Sequence, residues 1–280
     1  MTDDAAGDLV ASLVRSTDFD RYAATLFAPA EARPHLLALY AFDAELARVR
    51  DLVSEPMPGE LRLQWWRDAL ADPERADAAS HPVMRALEAA IRYGGLPRPA
   101  LEGLIDAHND GLYDDPVASV EEMEARFGAT RSAVLRLASI LLAKGREPGG
   151  ADAAGYGGVA LGVARLIADI HLRPERLRGL VPADRMAARG VSLADLGERR
   201  GGARVSGLVA ELAAVATRRL TEARSAFASV DPVAGAAFLP LAPVARDLAR
   251  YARQAPPEGE SPRWLRMARL WRASRRFPPF

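Results

Sequence analysis

The stretch from Leu36 to Val53, LLALYAFDAELARVRDLV, repeats apolar side chains every three or four residues. This spacing places them on one side of an α-helix. Pro29 is expected in the first turn of that helix, and Pro56 and Pro58 are expected to stop it, because proline is tolerated only at the start of a helix. The stretch therefore predicts a long amphipathic helix with one buried face.

Helical patterns of the same kind continue along the rest of the chain. Ser119 and Glu122 form a capping box, and Gly-rich or Pro-containing segments separate the patterns. The predicted helices cover 83–93 after Pro82, 120–143, 155–172, 183–189 and 205–227, with further segments starting at Asp231-Pro232 and Ser261-Pro262. No alternating strand pattern of useful length occurs. We expect an all-α bundle of about ten helices, forming one domain over residues 1–280.

Composition supports a helical protein and excludes several kinds of site. Of 280 residues, 56 are alanine, the best helix former, and there is no cysteine, which excludes disulfides, thiolate metal sites and cysteine nucleophiles. Basic and acidic residues number 37 each, and Lys144 is the only lysine. This balance argues against a general nucleic-acid binder.

The ends of the sequence carry no visible targeting signal. The first twenty residues lack a basic segment followed by an apolar core, and no run of 18 apolar residues occurs. We expect a soluble, cytoplasmic protein.

Most familiar catalytic motifs are absent. The sequence holds no P-loop, GxGxxG, GxSxG or HExxH, and its histidines are scattered, which favours structural roles for them. Carboxylates on helices are the chemistry that remains, because acids four residues apart share a face and can hold Mg²⁺ against a diphosphate. Two stretches fit this idea, 40–51 and 161–173, the second followed by a loop over 178–184.

Several short segments, in order along the chain, resemble the squalene/phytoene synthase family. They are Asp20–Ala23, Leu39–Phe42, Trp65–Arg67, His81–Val83, Gly162 with Ala164, the loop residues Gly179, Pro182, Asp184 and Gly190, and the segment starting at Phe238. The resemblance implies an isoprenoid-synthase-like helical bundle around a central cavity. It also implies two aspartate motifs that bind Mg²⁺ and prenyl diphosphates across the mouth of that cavity.

The sequence departs from the family at those motifs. In register, the first acid of the first motif is Ala47, and only Asp51 is kept. Asp169 begins the second motif, but Arg173 follows it and the final acid is missing. A tyrosine that the resemblance places in the middle helix is Arg126. Asp169 and Arg173, four residues apart, are expected to form a helix-surface ion pair instead of a metal clamp.

A lone carboxylate on each helix offers Mg²⁺ few protein ligands, although ionising an allylic diphosphate demands strong charge neutralisation. The sequence is similar to a branch of the family that has lost its aspartates and assists the assembly of respiratory complex I. The similarity is carried by residues 40–55 and by Leu63–Trp66. It implies a pseudoenzyme with a protein partner and without a cofactor.

Three alternatives stay open. The first is a working prenyltransferase with Mg²⁺, in which Asp51 with Glu55, or Asp106 with Asp110 and Asp114 near His108, supply the missing ligands. The second is a carrier or sensor of an isoprenoid or other lipid. In the third, Arg48, Arg50 and Arg173 hold a phosphate without metal.

The last predicted helix combines arginines with the two tryptophans Trp264 and Trp271. Such a basic helix, with Arg266 among its charges, can lie at an anionic bilayer or dock on a partner. The favoured interpretation is that both tryptophans pack on the bundle and the arginines cover its outside.

Overall fold

The computed structural model describes residues 3–113, 115–173, 177, 179–196, 202–253 and 261–280, and these ranges contain helices and turns but no strand. The all-α prediction is confirmed. Fifteen α-helices lie in the described ranges: α1 Asp3–Thr17, α2 Phe19–Thr25, α3 Arg33–Leu52, α4 Pro56–Ala71, α5 Ala76–Ser80, α6 Pro82–Gly94, α7 Arg98–Asp110, α8 Val120–Phe127, α9 Ala133–Leu142, α10 Ala151–Leu172, α11 Ala183–Arg189, α12 Leu193–Leu196, α13 Gly202–Ala226, α14 Val244–Ala252 and α15 Arg263–Ala273.

The predicted number of about ten helices is too low. Several of the additional helices, such as α2, α5 and α12, are too short to show a complete apolar period. A π-helical turn, Gly128–Ser132, joins α8 to α9, and 3₁₀ turns cover Ala30–Ala32, Phe227–Ser229 and Pro232–Leu241. The single helix expected over 120–143 is thus an α-helix with a π-helical insertion.

Prolines set the ends of α3, but not all in the predicted places. Pro29 precedes a 3₁₀ turn, and Pro34 occupies the first turn of α3 instead. Val53 is extended after the last helical residue, and Pro56 begins α4. Pro56 therefore both prevents continuation of α3 and starts the next helix, as expected for a residue without an N–H.

The capping box at the start of α8 is present in altered form. The backbone N–H of Glu122 donates to Ser119 Oγ at 3.4 Å. The Glu122 carboxylate accepts from the backbone N–H of Ala118 at 2.8 Å. The bond to Ser119 is therefore the standard one, whereas the reciprocal bond from the Glu122 side chain reaches the N–H of the residue before the N-cap.

Helix α10 lies along α13, α9 and the π-helical turn. Its segment Ala151–Ile170 has the length and mean hydropathy, 1.3, of a membrane-spanning helix, but 67% of it is buried in the protein. Burial of this extent is typical of the core helix of a bundle. On the opposite side, α3 packs against α1, α6 and α9.

Glycines allow α10 to approach the π-helical turn closely. A Cβ at Gly158 would overlap the backbone of Ser132, and one at Gly162 would overlap the Phe127 ring. Ser132 Oγ donates to the carbonyl of Gly155 at 2.7 Å and fixes the same contact. A Cβ at Gly155 would meet no atom within 4 Å.

We expect Gly158→Ala to lower the free energy of unfolding by at least about 1–3 kcal/mol, because the new methyl group overlaps backbone that cannot move alone. Gly155→Ala, on the same helix, is the matched control and should leave stability unchanged or raise it by up to about 1 kcal/mol. Urea unfolding of both variants checks this. Equal stability of the two variants would contradict the close packing of α10 on the π-helical turn.

Candidate functional site

A carboxylate lies on the buried face of α3. Leu36, Leu39, Asp43 and Leu46 follow one another at spacings of four and three residues, and each is at most 2% exposed. An ionised side chain in such a stripe must be paired, because burial of an isolated charge is very unfavourable. Asp43 is not among the predicted site residues, although a carboxylate within an apolar stripe is a signal that the sequence itself carries.

Three donors from three other elements surround the Asp43 carboxylate. Arg21 of α2 donates from Nη1 to Oδ2 at 2.5 Å, and Arg131 of the π-helical turn reaches the same oxygen at 3.4 Å. His108 of α7 lies with Nε2 3.2 Å from Oδ1. Because an ionised carboxylate only accepts, His108 donates from Nε2.

The cluster extends from Arg21 to α10. Asp18, the N-cap of α2, accepts from the backbone N–H of Arg21 at 3.1 Å. Its carboxylate lies 3.9 Å from Arg21 Nε and 3.6 Å from Nη2 of Arg165 on α10. A chain of ion pairs thus links α3 to α10, the two helices on which the resemblance places the catalytic aspartates.

The central charges shift the ionisation of the groups around them. Burial alone would raise the pKa of Asp43, but Arg21, the hydrogen bond from His108 and Arg131 outweigh it and hold that pKa well below its usual range. Burial also opposes charge on Arg21, whereas Asp43 and Asp18 raise its pKa overall. The Tyr40 ring lies 5.2 Å from the Arg21 guanidinium, and burial raises the pKa of its hydroxyl to about 12.

This arrangement does not suit a magnesium ion. Both oxygens of Asp43 already accept hydrogen bonds, and three guanidinium groups face two carboxylates in the cluster. Within the described ranges, no three histidine or acidic side chains come together in a group able to hold a metal. The donor set therefore does not fit a Mg²⁺-diphosphate clamp.

The two remaining family aspartates occupy different surroundings. Asp51 is exposed in the last turn of α3. Asp169 is half-buried on α10, one turn after Arg165, and its charge helps to raise the pKa of Tyr251 on α14, after burial and Asp247. As candidate ligands, these aspartates stay predictions that rest on the family register.

The first of the two suggested pairs of replacement ligands, Asp51 with Glu55, is not arranged as predicted. Glu55 is not on α3, because that helix ends at Leu52, so Asp51 and Glu55 do not share a helical face. Asp106 pairs with Arg67, whereas His108 turns inward to Asp43. Asp106 and Asp110 lie one turn apart on α7, and Asp114 is outside the described residues.

The arginines proposed for phosphate binding have local contacts. Arg48 lies 3.9 Å from Glu45, and Arg50 donates to the carbonyl of Val53 at 3.4 Å. Two residues apart on a helix, Arg48 and Arg50 do not face the same side. Arg173 follows the end of α10, and its backbone N–H donates to the carbonyl of Asp169 at 2.8 Å.

Arg126, in place of the family's tyrosine, bonds locally. It donates to the carbonyl of Asp115 at 3.2 Å and lies 3.4 Å from the Glu122 carboxylate. These contacts hold the start of α8 to the preceding segment.

Two cavities in the described part of the chain lie away from the family motifs. One of about 280 Å³ lies between the π-helical turn, α10 and Arg219 of α13. Another of about 330 Å³ lies between α8, α13 and Arg185 of α11. Neither is lined by Asp51 or Asp169.

The favoured interpretation of the last helix is wrong. Trp264 is 72% exposed and Trp271 is 45% exposed, so neither is packed into the bundle. Arg266 instead turns inward and pairs with Asp20 of α2 at 2.8 Å. Buried Leu270 and Ala273 supply the apolar contacts of α15, so its apolar inner face does not include the tryptophans.

Comparisons with known proteins agree with the architecture. The squalene/phytoene synthase family model matches residues 14–268. The rat (Rattus norvegicus) protein named NADH dehydrogenase (ubiquinone) complex I, assembly factor 6, is 32% identical over 228 residues, which are 81% of this chain and 68% of that protein. The human protein of the same name is 31% identical over 228 residues, again 81% of this chain and 68% of that protein. A crystal structure of squalene synthase HpnC from Alicyclobacillus acidocaldarius superposes with a TM-score of 0.75 at 23% identity, covering 90% of this chain and 94% of that one.

Replacing Asp43 with asparagine is expected to lower the free energy of unfolding by about 3–5 kcal/mol, because it deprives the buried Arg21 guanidinium of its nearest carboxylate and leaves only Asp18, at 3.9 Å. Asp106→Asn breaks an ion pair whose carboxylate is 61% exposed and is the matched control. The Asp106→Asn substitution should lower the free energy of unfolding by less than about 1 kcal/mol. Denaturant unfolding at neutral pH measures both, and equal costs would contradict the central role of Asp43.

The wild type and the Asp43→Asn variant also provide a test that depends on pH. Since the pKa of Asp43 is lower in the folded than in the unfolded protein, its stabilisation is complete above the unfolded pKa, about 4, and is lost as the pH falls below it. The difference in unfolding free energy between the wild type and Asp43→Asn should therefore narrow below about pH 4. A difference that stays constant or widens in acid would show that Asp43 is not held ionised.

Proposed function

Because the chain belongs to the squalene/phytoene synthase family and its curated relatives include complex I assembly factors, we propose that it assists the assembly of respiratory complex I without prenyl-transfer chemistry. The relatives support the protein-partner role. The helical bundle then acts as a binding body for an assembly intermediate and needs no metal or organic cofactor. We further propose that it works in the cytoplasm, at the membrane that holds complex I.

The observation that carries this proposal is the charge cluster around Asp43. The register that identifies the family puts Ala47 where the first metal-binding acid is expected, one turn after Asp43 on the same helix. The buried acid of this helix, Asp43, instead pairs with Arg21, His108 and Arg131. A carboxylate whose two oxygens already accept hydrogen bonds stabilises the packed helices. Departure of a diphosphate, by contrast, needs metal ions that are held by carboxylates with unoccupied oxygens.

The similarity to the squalene synthase structure supports the fold of this chain. A reaction depends on the side chains of the site, because one fold can host different functions. The alternative of an active prenyltransferase requires Asp51 and Asp169 to recruit Mg²⁺ with further ligands. An assay of diphosphate release would reveal such an activity.

Deletion of the gene is expected to lower the amount of assembled complex I and the NADH:ubiquinone oxidoreductase activity of isolated membranes. Blue-native electrophoresis with in-gel activity staining measures both effects. A copy of the wild-type gene should restore them, and so should a copy encoding Asp51→Ala with Asp169→Ala, because the proposal gives these aspartates no catalytic task. Normal complex I in the deletion strain would overturn the assembly role. Failure of the folded double variant to restore it would overturn the non-catalytic interpretation.

The purified protein is expected to release no diphosphate from farnesyl or geranylgeranyl diphosphate with Mg²⁺, either with or without a reduced nicotinamide cofactor. A squalene synthase assayed in parallel shows that the conditions support the reaction. Diphosphate release that Asp51→Ala or Asp169→Ala abolishes would establish the prenyltransferase alternative.

A further inference from the structure

The C-terminal segment 261–280 concentrates positive charge in an otherwise neutral protein. It contains no aspartate or glutamate. Its arginines are Arg263, Arg266, Arg269, Arg272, Arg275 and Arg276. Because the whole chain has 37 basic and 37 acidic residues, this segment is a local feature and not a consequence of net charge.

The inner face of α15 packs against α2 of the bundle. Leu270 and Ala273 are buried, together with Ala23 and Ala24 of α2, and Met267 packs against the same cluster. Two of the arginines also turn inward. Arg266 pairs with Asp20, and the charge of Arg269 acts on Asp247 of α14, whose pKa burial raises.

The outer face presents tryptophan and arginine to the surroundings. Trp264 and Trp271 are seven residues apart, so they lie on the same side of the helix about 10 Å apart along its axis. The Arg275 guanidinium lies 3.7 Å from the centre of the Trp271 ring, and Arg272 and Arg276 are exposed beside it. The helix therefore has a second, outward-facing stripe, on which Trp264 is largely exposed and Trp271 is partly covered by Arg275.

We propose that this outer face docks the protein peripherally on an anionic lipid bilayer. Indole rings suit the boundary between headgroups and acyl chains because they combine a large apolar surface with one N–H donor. Arginines beside them pair with lipid phosphates, and the segment has no acid to repel those phosphates. A helix with its other face fixed to the bundle would lie flat in the headgroup region.

An acidic protein is the competing occupant. Exposed arginines alone would suit it equally, but two neighbouring tryptophans exposed to water favour a partner with an apolar layer beneath its charges. The lipid proposal stands apart from the assembly role, since it concerns the purified protein and lipid alone.

Vesicle co-sedimentation tests the proposal. The full-length protein should bind vesicles of phosphatidylcholine mixed with phosphatidylglycerol, bind vesicles of phosphatidylcholine alone much more weakly, and be released by salt. Trp264→Ala with Trp271→Ala should weaken binding about tenfold or more. Arg272→Gln with Arg276→Gln should weaken it about fivefold per arginine.

Each variant has a matched control elsewhere on the protein. Met57→Ala with Leu61→Ala removes two exposed apolar side chains of α4, 71% and 69% exposed. Arg92→Gln with Arg146→Gln removes two arginines whose side chains are 71% and 70% exposed. Both controls should bind as the wild type does. All variants should keep the wild-type melting temperature, because the replaced side chains point outward.

Fluorescence gives a second measurement. Addition of anionic vesicles should shift the tryptophan emission of the wild type to shorter wavelength, and Trp264→Phe with Trp271→Phe should abolish the shift. Failure of the wild type to bind anionic vesicles, or equal loss of binding in the α4 control, would overturn the proposal. Capture on immobilised polyglutamate with no binding to vesicles would assign the face to an acidic protein and would also overturn it.

Discussion

The Asp43 carboxylate is a negative charge on the buried face of α3, and the arrangement of the neighbouring helices follows from the need to compensate it. Its hydrogen-bond partners come from α2, α7 and the π-helical turn. Withdrawal of α2 would remove the nearest of these partners, Arg21 at 2.5 Å, and leave the buried carboxylate less well compensated, which is strongly unfavourable. The N-cap of α2 then carries the same network through Asp18 to Arg165 on α10.

The charge cluster also explains how a fold shared with prenyltransferases can serve another purpose. A bundle of this topology places side chains from opposite helices near its centre, where they can either bind an external ion or neutralise one another. Here Arg21, Arg131 and Arg165 neutralise Asp43 and Asp18 internally. The carboxylates therefore stabilise the native packing and have little capacity left for a metal. The shared fold alone does not decide which chemistry its centre carries.

Arginine supplies nearly all of the basic side chains, and its surroundings give it two different roles. In the bundle centre and beneath α15 its planar fork pairs with acids such as Asp43 and Asp20. On the outer face of α15 the same side chain stands exposed beside tryptophan. Because guanidinium is weakly hydrated and always charged, it serves both environments, which a lysine would do less well.

The sequence by itself determined the elements that depend on local chemistry. Proline, glycine and capping residues placed α6 and α11 within about a residue of their ends, because these signals act over one helical turn. Local signals failed for the start of α3, where Pro29 and Pro34 both permit a helix to begin. The family register identified Ala47, Asp51, Asp169 and Arg173 from the order of the residues alone.

Only the tertiary structure decided which charges meet and which helix faces are covered. Asp43 lies 22 residues from Arg21 and 88 from Arg131, so no local pattern relates them. Periodicity showed two stripes on α15 but not which one faces the bundle. The small side chains Ala23 and Ala24 of α2 receive Leu270 and Ala273, and this leaves Trp264 and Trp271 outside. Helical spacing defines faces, whereas the shape and charge of the opposing surface select the face that is buried.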